Sequence, residues 1–515
     1  MTVARTRSVA LLGLDGSLVE IEADLSANLP GFSIIGLPDA ALAEARDRVR
    51  AAAQNAGCPL PNRRLTVNLS PASLPKQGSA FDLGIALACL GAAGEIDAGS
   101  LERVVHLGEL GLDGRLRPID GVLPAVLAAA RAGAEIVMVP EANRAEAGLV
   151  PGIRVVAVAS LREAAVRHGA RFADVPVDAV ALPHRADAPA ERSPGDLADI
   201  AGNEEAVEAL LLAAAGGHHL FLIVPPGAGK TMLASRLPGI LPDLEQDAAI
   251  EVASLGSLSG RPLAGELSLR PPFEAPHHTA SAAALVGGGS RLIRPGAAAR
   301  ASHGVLFLDE APEFPRSVLD VLRQPLESGE ISIHRANAVA RFPARFQLVL
   351  AANPCPCGLD GTPGGGCVCP PMTKRRYLGR LSGPLLDRVD LQLWVPRVTP
   401  ARLRMDAGTE GRLTSERARA RVVAARATAA ERLAGTPWRL NAEMTGAWLR
   451  GEGGLHPGAR ATAGLDRALE LGAITMRGYD RVLKSAWTLA DLDGAARPDA
   501  DHVGRALLLR QAAPA

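Results

Sequence analysis

Phe221-Leu222-Ile223-Val224-Pro225-Pro226-Gly227-Ala228-Gly229-Lys230-Thr231 is an apolar strand that breaks into a Pro/Gly turn and opens a helix at Met232. That is the order of parts in a phosphate-binding loop. Backbone N–H groups of the turn and of the helix N-terminus surround phosphate, the lysine reaches the outer phosphates, and the threonine hydroxyl ligates Mg²⁺. Pro225, Pro226, Gly227, Ala228, Gly229, Lys230, Thr231 and Met232 are therefore the candidate ATP-binding residues. The spacing G-x-x-x-x-G-K-[ST] asks for glycine at 224, where this chain has Val224. Glycine at that hinge permits a tight turn, so a Cβ and two methyls are expected to strain the loop and weaken nucleotide affinity without abolishing binding.

Downstream segments supply the other parts of a nucleotide site. Gly304-Val305-Leu306-Phe307-Leu308-Asp309-Glu310 is a short apolar strand ending in two acids. Asp309 is placed to hold Mg²⁺ together with Thr231, and Glu310 to polarise an attacking water. Phe346 to Ala352 is a second such strand, ending in Asn353, which can orient the water or contact the γ-phosphate. By itself each is an ordinary strand end or turn cap; their succession behind a P-loop is what gives them weight. Arg388, in Ser382-Gly383-Pro384-Leu385-Leu386-Asp387-Arg388-Val389-Asp390, is positioned like an arginine finger lent to a neighbouring subunit. Arg477 matches a second sensor arginine in the C-terminal part, with Arg481 the competing candidate one helical turn on.

The 515 residues exceed a single typical domain, and 48% hydrophobic content is ample for buried cores, built mainly from Ala, Val, Leu and Ile because aromatics are only 3%. Lys+Arg and Asp+Glu balance at 55 each, so any nucleic-acid surface must be local. No apolar run reaches the roughly 18–20 residues of a membrane span, and the N-terminus lacks a signal-peptide pattern. The chain reads as soluble, cytoplasmic and without membrane partners. Six cysteines in this length do not make a disulfide framework.

Along the chain, strands are expected at 19–22, 65–69 and 134–139, helices at 40–56, 81–90 and 124–132, and residues 104–112 lead into a turn at Asp113-Gly114. Residues 171–195 are Pro-punctuated and aperiodic, a linker. A helix over 204–215 precedes the P-loop strand. Strands then alternate with helices to about 395, implying a mainly parallel sheet covered on both faces. Beyond 396 the pattern is helical, over 414–434 and around 465–490.

Two resemblances sharpen this reading. Gly108-Glu109-Leu110-Gly111-Leu112-Asp113-Gly114-Arg115-Leu116-Arg117-Pro118-Ile119-Asp120-Gly121, with Val139-Pro140-Glu141-Ala142-Asn143, resembles the proteolytic domain of Lon-type proteases, which use a Ser–Lys dyad. On that resemblance the serine position after Pro75-Lys76-Gln77-Gly78 falls at about Ala80, and the lysine position at about Leu123. Ser79 lies beside the first, but nothing replaces the lysine, so the shape is expected without peptidase activity. The ordered set Pro276-His277-His278-Thr279-Ala280-Ser281, Gly304 to Glu310, Leu322-Arg323-Gln324-Pro325-Leu326-Glu327-Ser328-Gly329-Glu330, Ala352-Asn353-Pro354-Cys355-Pro356-Cys357-Gly358 and Ser382 to Asp390 resembles the magnesium-chelatase-like AAA+ ATPases of the ComM/YifB group.

The resemblance implies an α/β fold: an AAA+ P-loop core over 196–395, behind a Lon-protease-like α+β domain over 1–170, and followed by a helical lid with the second sensor over 396–515. It implies a homo-hexameric ring that hydrolyses ATP with Mg²⁺. It also implies a DNA helicase driving branch migration in homologous recombination and natural transformation. Pore-facing insertions would run over 255–300 and over a hairpin at 331–345, whose Arg335, Arg341 and Arg345 would meet DNA phosphates. Two other readings compete: a chelatase-type motor remodelling a protein partner, which the front domain argues against, and a non-hydrolysing scaffold impaired by Val224. Cys58 and Cys89 sit in apolar surroundings as core residues. Cys355, Cys357, Cys367 and Cys369 form two C-x-C pairs that could close a tetrahedral zinc site on a loop with little apolar content. His277 and His278 are assigned to a loop or pore role rather than to metal.

Overall fold

The computed structural model describes residues 3–510 except 28, 37–39, 75, 77, 174, 183–194, 262, 264, 290–292, 336–337, 362–365, 400–401, 403, 405–411 and 453. The expected linker at 171–195 therefore falls largely outside the described residues; its described part contains no helix or strand.

The front of the chain builds a seven-stranded mixed sheet. Its order is Gly31–Ile35, Arg64–Ser70, Asp15–Ser26, Val3–Leu12, Val104–His106, Ile136–Pro140, Arg154–Val158. The strands Val3–Leu12 and Asp15–Ser26 form an antiparallel hairpin, and the last three strands join in parallel. The helix Asp82–Ala92 is buried over its whole length, as its unbroken apolar sequence dictates. The expected elements lie within this framework, but the long first strand was not among them. Its alternation is hidden because Thr6 and Ser8 occupy buried positions. Thr6 is satisfied there by a 2.6 Å hydrogen bond to His106 Nδ1, which removes the usual penalty for a buried hydroxyl.

A second sheet of five strands is entirely parallel. Its order is Phe273–Glu274, Val305–Leu308, Gln347–Ala352, Leu220–Ile223, Leu391–Trp394. The P-loop strand Leu220–Ile223 lies between strands that follow it on both sides, so the chain reverses its direction of winding there. Ligands of open α/β sheets bind at such a switch point, outside the carboxyl ends of the strands. The hairpin is present as Glu330–Arg335 paired antiparallel with Ala338–Pro343.

The C-terminal helices Ser415–Arg432, Ala459–Glu470, Met476–Leu492 and Ala500–Leu508 start at side-chain caps where the sequence provides them, including Thr414, Thr475 and Asp499. Ala418, Val422 and Ala425 of the first of these enter the same apolar core as Leu220, Leu222 and Val224 of the P-loop strand. Arg432 lies over the Trp487 ring at 4.3 Å and grips buried Asp491 with two nitrogens at 2.6 and 2.7 Å.

The front unit and the second sheet interlock. Leu11, Leu12 and Leu14 pack into the core that holds Phe342 and Leu348, while Ala253, Leu263 and Leu267 pack into the front core around Val122 and Val126. Gly13, at φ +67°, lies against the Arg341 backbone so closely that a Cβ would come within 2.6 Å of the Arg341 carbonyl oxygen. Arg294 Nη2 donates to Asp120 at 2.8 Å, and the Gly121 amide donates to the Ser257 carbonyl at 3.2 Å.

Candidate functional site

The carboxyl ends of the three central strands bring the nucleotide-site candidates together. Ile223 is in register with Ala352, and Leu308 with Leu350, so Val224, Asn353 and Asp309 emerge side by side. Lys230 Nζ donates to Asn353 Oδ1 at 2.6 Å and stands 4.0 Å from Asp309 Oδ1. Thr231 Oγ1 donates to Asp309 Oδ2 at 3.1 Å. The carboxylate and hydroxyl that would hold Mg²⁺ thus already face one another.

Around the turn, Gly227 (φ 78°) and Gly229 (φ 88°) adopt the left-handed conformation that aims successive amides inward, and Gly229 caps the helix Lys230–Ile240. A Cβ at Gly227 would meet nothing within 4 Å, which leaves the turn open toward a ligand. These residues fit a bound nucleoside triphosphate and its Mg²⁺: the open amide turn, one ammonium and a paired hydroxyl and carboxylate are the donors such a group requires.

Val224 does not behave as its sequence position suggested. It is fully buried in the core and has no positive φ. Its amide donates to the Ala352 carbonyl at 2.9 Å, so the residue extends the strand pairing by one step. The turn begins only after it, and Val224 does not need the positive φ at which glycine has its advantage.

Strain is found instead at Glu310, whose φ of 51° and ψ of 41° are left-handed for a non-glycine residue. Such a conformation costs about 1–3 kcal/mol and is typical of functional sites. The Glu310 amide donates to its neighbour Asp309 Oδ1 at 2.8 Å. Its carboxylate turns to the outer side, where His278 Nδ1 lies 3.2 Å from Oε2. Behind Asn353, Tyr377 is buried; burial and the nearby Glu313 push its phenol up to about 12, so it stays neutral.

The arginine candidates lie elsewhere. Arg388 precedes the strand Leu391–Trp394, at the amino end of the sheet, and bonds the Glu327 carboxylate and the Pro384 carbonyl. Four strand residues at ~3.3 Å each, about 13 Å, separate that end from the edge that carries the P-loop. Arg477 stands 3.6 Å from Asp387 beside it, and Arg481 pairs with Asp390. Burial raises the Asp390 carboxyl, but Arg481, His218 and His219 more than offset this and hold it well below the usual range. Arg388, Arg477 and Arg481 form one cluster that does not reach the P-loop of its own chain.

The four cysteines of the loop converge. Their sulfurs all lie within 4.8 Å of one another, with Cys355–Cys357 at 3.3 Å, Cys357–Cys367 at 3.6 Å and Cys355–Cys367 at 3.7 Å. A tetrahedron with Zn–S of about 2.3 Å needs sulfurs about 3.8 Å apart, so the set fits zinc. Gly358, at the close of the first pair, stands against Pro226 so tightly that a Cβ would lie 2.4 Å from its Cγ. The cysteine loop thus abuts the P-loop. Cys58 and Cys89 are fully buried, and burial pushes the Cys89 thiol up to about 12.

In the front unit, Leu123 is buried in the apolar core. Lys76 Nζ is spent on the carbonyls of Pro71 at 2.5 Å and Leu74 at 3.1 Å, and Ser79 donates to the Glu109 carboxylate. On the hairpin, Arg341 is 3.6 Å from Glu330, and Arg345 is exposed at its exit. Arg335 closes the first hairpin strand, and its side chain lies outside the described residues.

Two features escaped the sequence reading. His278 was quoted for the resemblance without its contact to Glu310; it lies in the loop after the two-residue strand Phe273–Glu274, where no periodicity marks it. Buried Glu274 is gripped by Arg261 and Arg300 from both flanks of an insertion, with contacts including 2.5 Å and 2.9 Å.

Comparison with known proteins agrees with this geometry. Residues 196–403 match the family model described as magnesium chelatase, subunit ChlI. Residues 21–143 match subunit ChlI of Mg-chelatase, and residues 412–510 its C-terminal model. Competence protein ComM of Haemophilus influenzae is 42% identical over 98% of this chain and 97% of its own. The chain belongs to the ComM/YifB magnesium-chelatase-like family. Within that family, an uncharacterized protein of Mycobacterium tuberculosis is 50% identical over 99% of both chains. A shorter similarity, 32% over 150 residues, links 28% of this chain to 19% of the Lon protease of Mycolicibacterium smegmatis. An α/β fold of AAA+ type and an ATPase of this family, with ATP and Mg²⁺, follow from the sheet and the matches together. Among the described residues no helix is long and apolar enough to cross a membrane.

Proposed function

We propose that this family member is a homo-hexameric, ATP-driven motor that acts on DNA, as a helicase or branch-migration factor in homologous recombination and natural transformation. The observation that carries the ring is the separation of its parts. Lys230, Thr231, Asp309 and Asn353 meet at one edge of the sheet, while Arg388 and Arg477 stand at the other. Such a set is complete only when a second copy places its arginines against the first copy's P-loop edge.

In this reading the amides of Gly227 to Met232 and Lys230 would hold the phosphates, and Thr231 and Asp309 would hold Mg²⁺, which would supply charge neutralisation for phosphoryl transfer. Glu310 takes the proton of the attacking water, Asn353 orients that water, and the partner's arginines stabilise charge as it develops. The relationship to a competence protein and the arginines of the hairpin support DNA as the substrate; those phosphate contacts would be sequence-independent and salt-sensitive. The front unit is read as a Lon-like fold without peptidase chemistry, and the C-terminal helices as the lid, in the cytoplasm.

Purified protein is expected to hydrolyse ATP faster with a branched oligonucleotide than without DNA. A rate indifferent to every DNA form would sink the DNA reading and favour a motor that remodels a protein partner, for which the chelatase-subunit matches speak.

A further inference from the structure

The cysteine loop meets the nucleotide site at three places, although none of its cysteines is a nucleotide-site candidate. Its first arm leaves the sheet directly: Asn353, which accepts from Lys230 Nζ at 2.6 Å, is followed two residues later by fully buried Cys355. The Gly358 amide then donates to the Cys355 carbonyl at 2.9 Å, closing a turn that sets Gly358 against Pro226. A Cβ at Gly358 would lie 2.4 Å from Pro226 Cγ, so this turn and the P-loop are in hard contact. Beyond it, Gly361 stands against Trp394, where a Cβ would come within 2.9 Å of the ring. Trp394 is in register with Ile223, the last residue of the P-loop strand.

Little apolar packing holds this loop. Apart from prolines, its large apolar residues are Leu359, half-buried, and Val368, 88% exposed. Lys374, on the helix Pro371–Leu378, pairs with Asp360 at the middle of the loop. The remaining tie is the set of four sulfurs, which lie within 4.8 Å of one another and as near as 3.3 Å. Neutral thiols are weak hydrogen-bonding groups and do not offset the entropy of gathering four side chains on such a loop. One tetrahedral ion on four thiolates does, and soft sulfur in that geometry suits zinc.

We propose that Cys355, Cys357, Cys367 and Cys369 bind one zinc ion, and that zinc and nucleotide bind cooperatively because the ion fixes the turn against which Pro226 rests. Four sulfurs complete the coordination of such an ion and leave no position for water or substrate, so its influence on the nucleotide is through position alone. Without the ion, nucleotide binding must also order the turn at Gly358, and affinity falls by that ordering entropy. By linkage, nucleotide tightens zinc by the same factor that zinc tightens nucleotide. The inference rests on the P-loop as the nucleotide site and needs neither DNA nor a ring.

Both sides of that cycle are measurable on the full chain without DNA. Affinity for a fluorescent ADP analogue, with Mg²⁺ in excess, is compared for zinc-loaded protein, protein stripped by a zinc-selective chelator, and stripped protein given zinc again. Stripping is expected to weaken binding by roughly fivefold to tenfold, the low end of ordinary coupling between sites, and zinc should restore it. Competition with a chromogenic zinc chelator should show zinc held more tightly by the same factor once ADP saturates the P-loop. Cys357→Ser, at an exposed position that fills no core, should bind ADP as the stripped protein does at the zinc concentration that restores wild type. Equal ADP affinity with and without zinc, in protein whose zinc content follows the treatment, would overturn the coupling. A chain that takes up no zinc, with its four cysteines titrating as free thiols or as two disulfides, would overturn the site itself. Zinc uptake with no ADP binding in any state would sink the P-loop reading, and the coupling with it, while the metal site stands.

Discussion

Val224 and Glu310 exchange the roles that their positions in the motif imply. Valine at the hinge continues a strand and fills the core, and the glutamate after Asp309 carries the strained backbone. Val224→Gly is therefore expected to leave ATP affinity within about twofold, as measured with a fluorescent nucleotide, and to destabilise the fold by about 1.5–3 kcal/mol through the lost buried side chain. A marked gain in affinity would show that the valine does distort the loop. Glu310→Gln should abolish turnover while nucleotide binding persists.

Buried Asp82 in the front unit offers a third residue-level test. Burial pushes its carboxyl up to about 6, although Arg48 binds it through two nitrogens at 2.9 and 3.1 Å. A folded-state value above the unfolded one means that this group's contribution is fully present below about pH 4 and is lost as pH rises through about 6. Asp82→Asn should remove that slope from thermal unfolding measured between pH 4 and 7. The residue types of the nucleotide site were legible because Lys230 and Thr231 follow a glycine turn behind one short apolar strand, and Asp309 and Asn353 directly follow two others. His278 was not, because its significance lies in a contact across two strands.

Among the elements, the cysteine loop carries the clearest consequence. Asn353 and Cys355 are two residues apart, and Gly358 rests on Pro226, so whatever orders the cysteines also orders one wall of the P-loop. About one zinc per chain is expected by elemental analysis. Cys355→Ser should lower both zinc content and the unfolding temperature, because the loop has little apolar content to hold it. A wild-type protein free of metal and unaffected by a chelator would defeat this. The C-x-C spacing allowed a metal site without requiring one; the convergence of the sulfurs lies in distances between the pairs, which leave no periodic signal. The parallel sheet was legible for the opposite reason, since strands buried on both faces read as continuous apolar runs. The first front strand was hidden by its buried Thr6 and Ser8.

For the whole molecule, the proposed ring would make activity collective, since the arginine cluster and the P-loop stand at opposite ends of the sheet. Mixing Arg388→Ala with Lys230→Ala subunits should recover a fraction of the ATPase that neither variant has alone, because some junctions then pair an intact P-loop with an intact arginine. No recovery across mixing ratios would place the arginines in service of their own chain. Arg481→Met is expected to cost about 3–5 kcal/mol in unfolding free energy, since it removes the guanidinium that pairs with buried Asp390. The front unit, finally, is not an appendage. Leucines of its first turn complete the core of the ATPase unit, and leucines of that unit complete its own. A molecule built this way should act as a split protein that reassembles itself. Cut once between Leu182 and Gly195, its halves should co-elute as one particle, whereas either half made alone should expose the other's missing apolar face and aggregate.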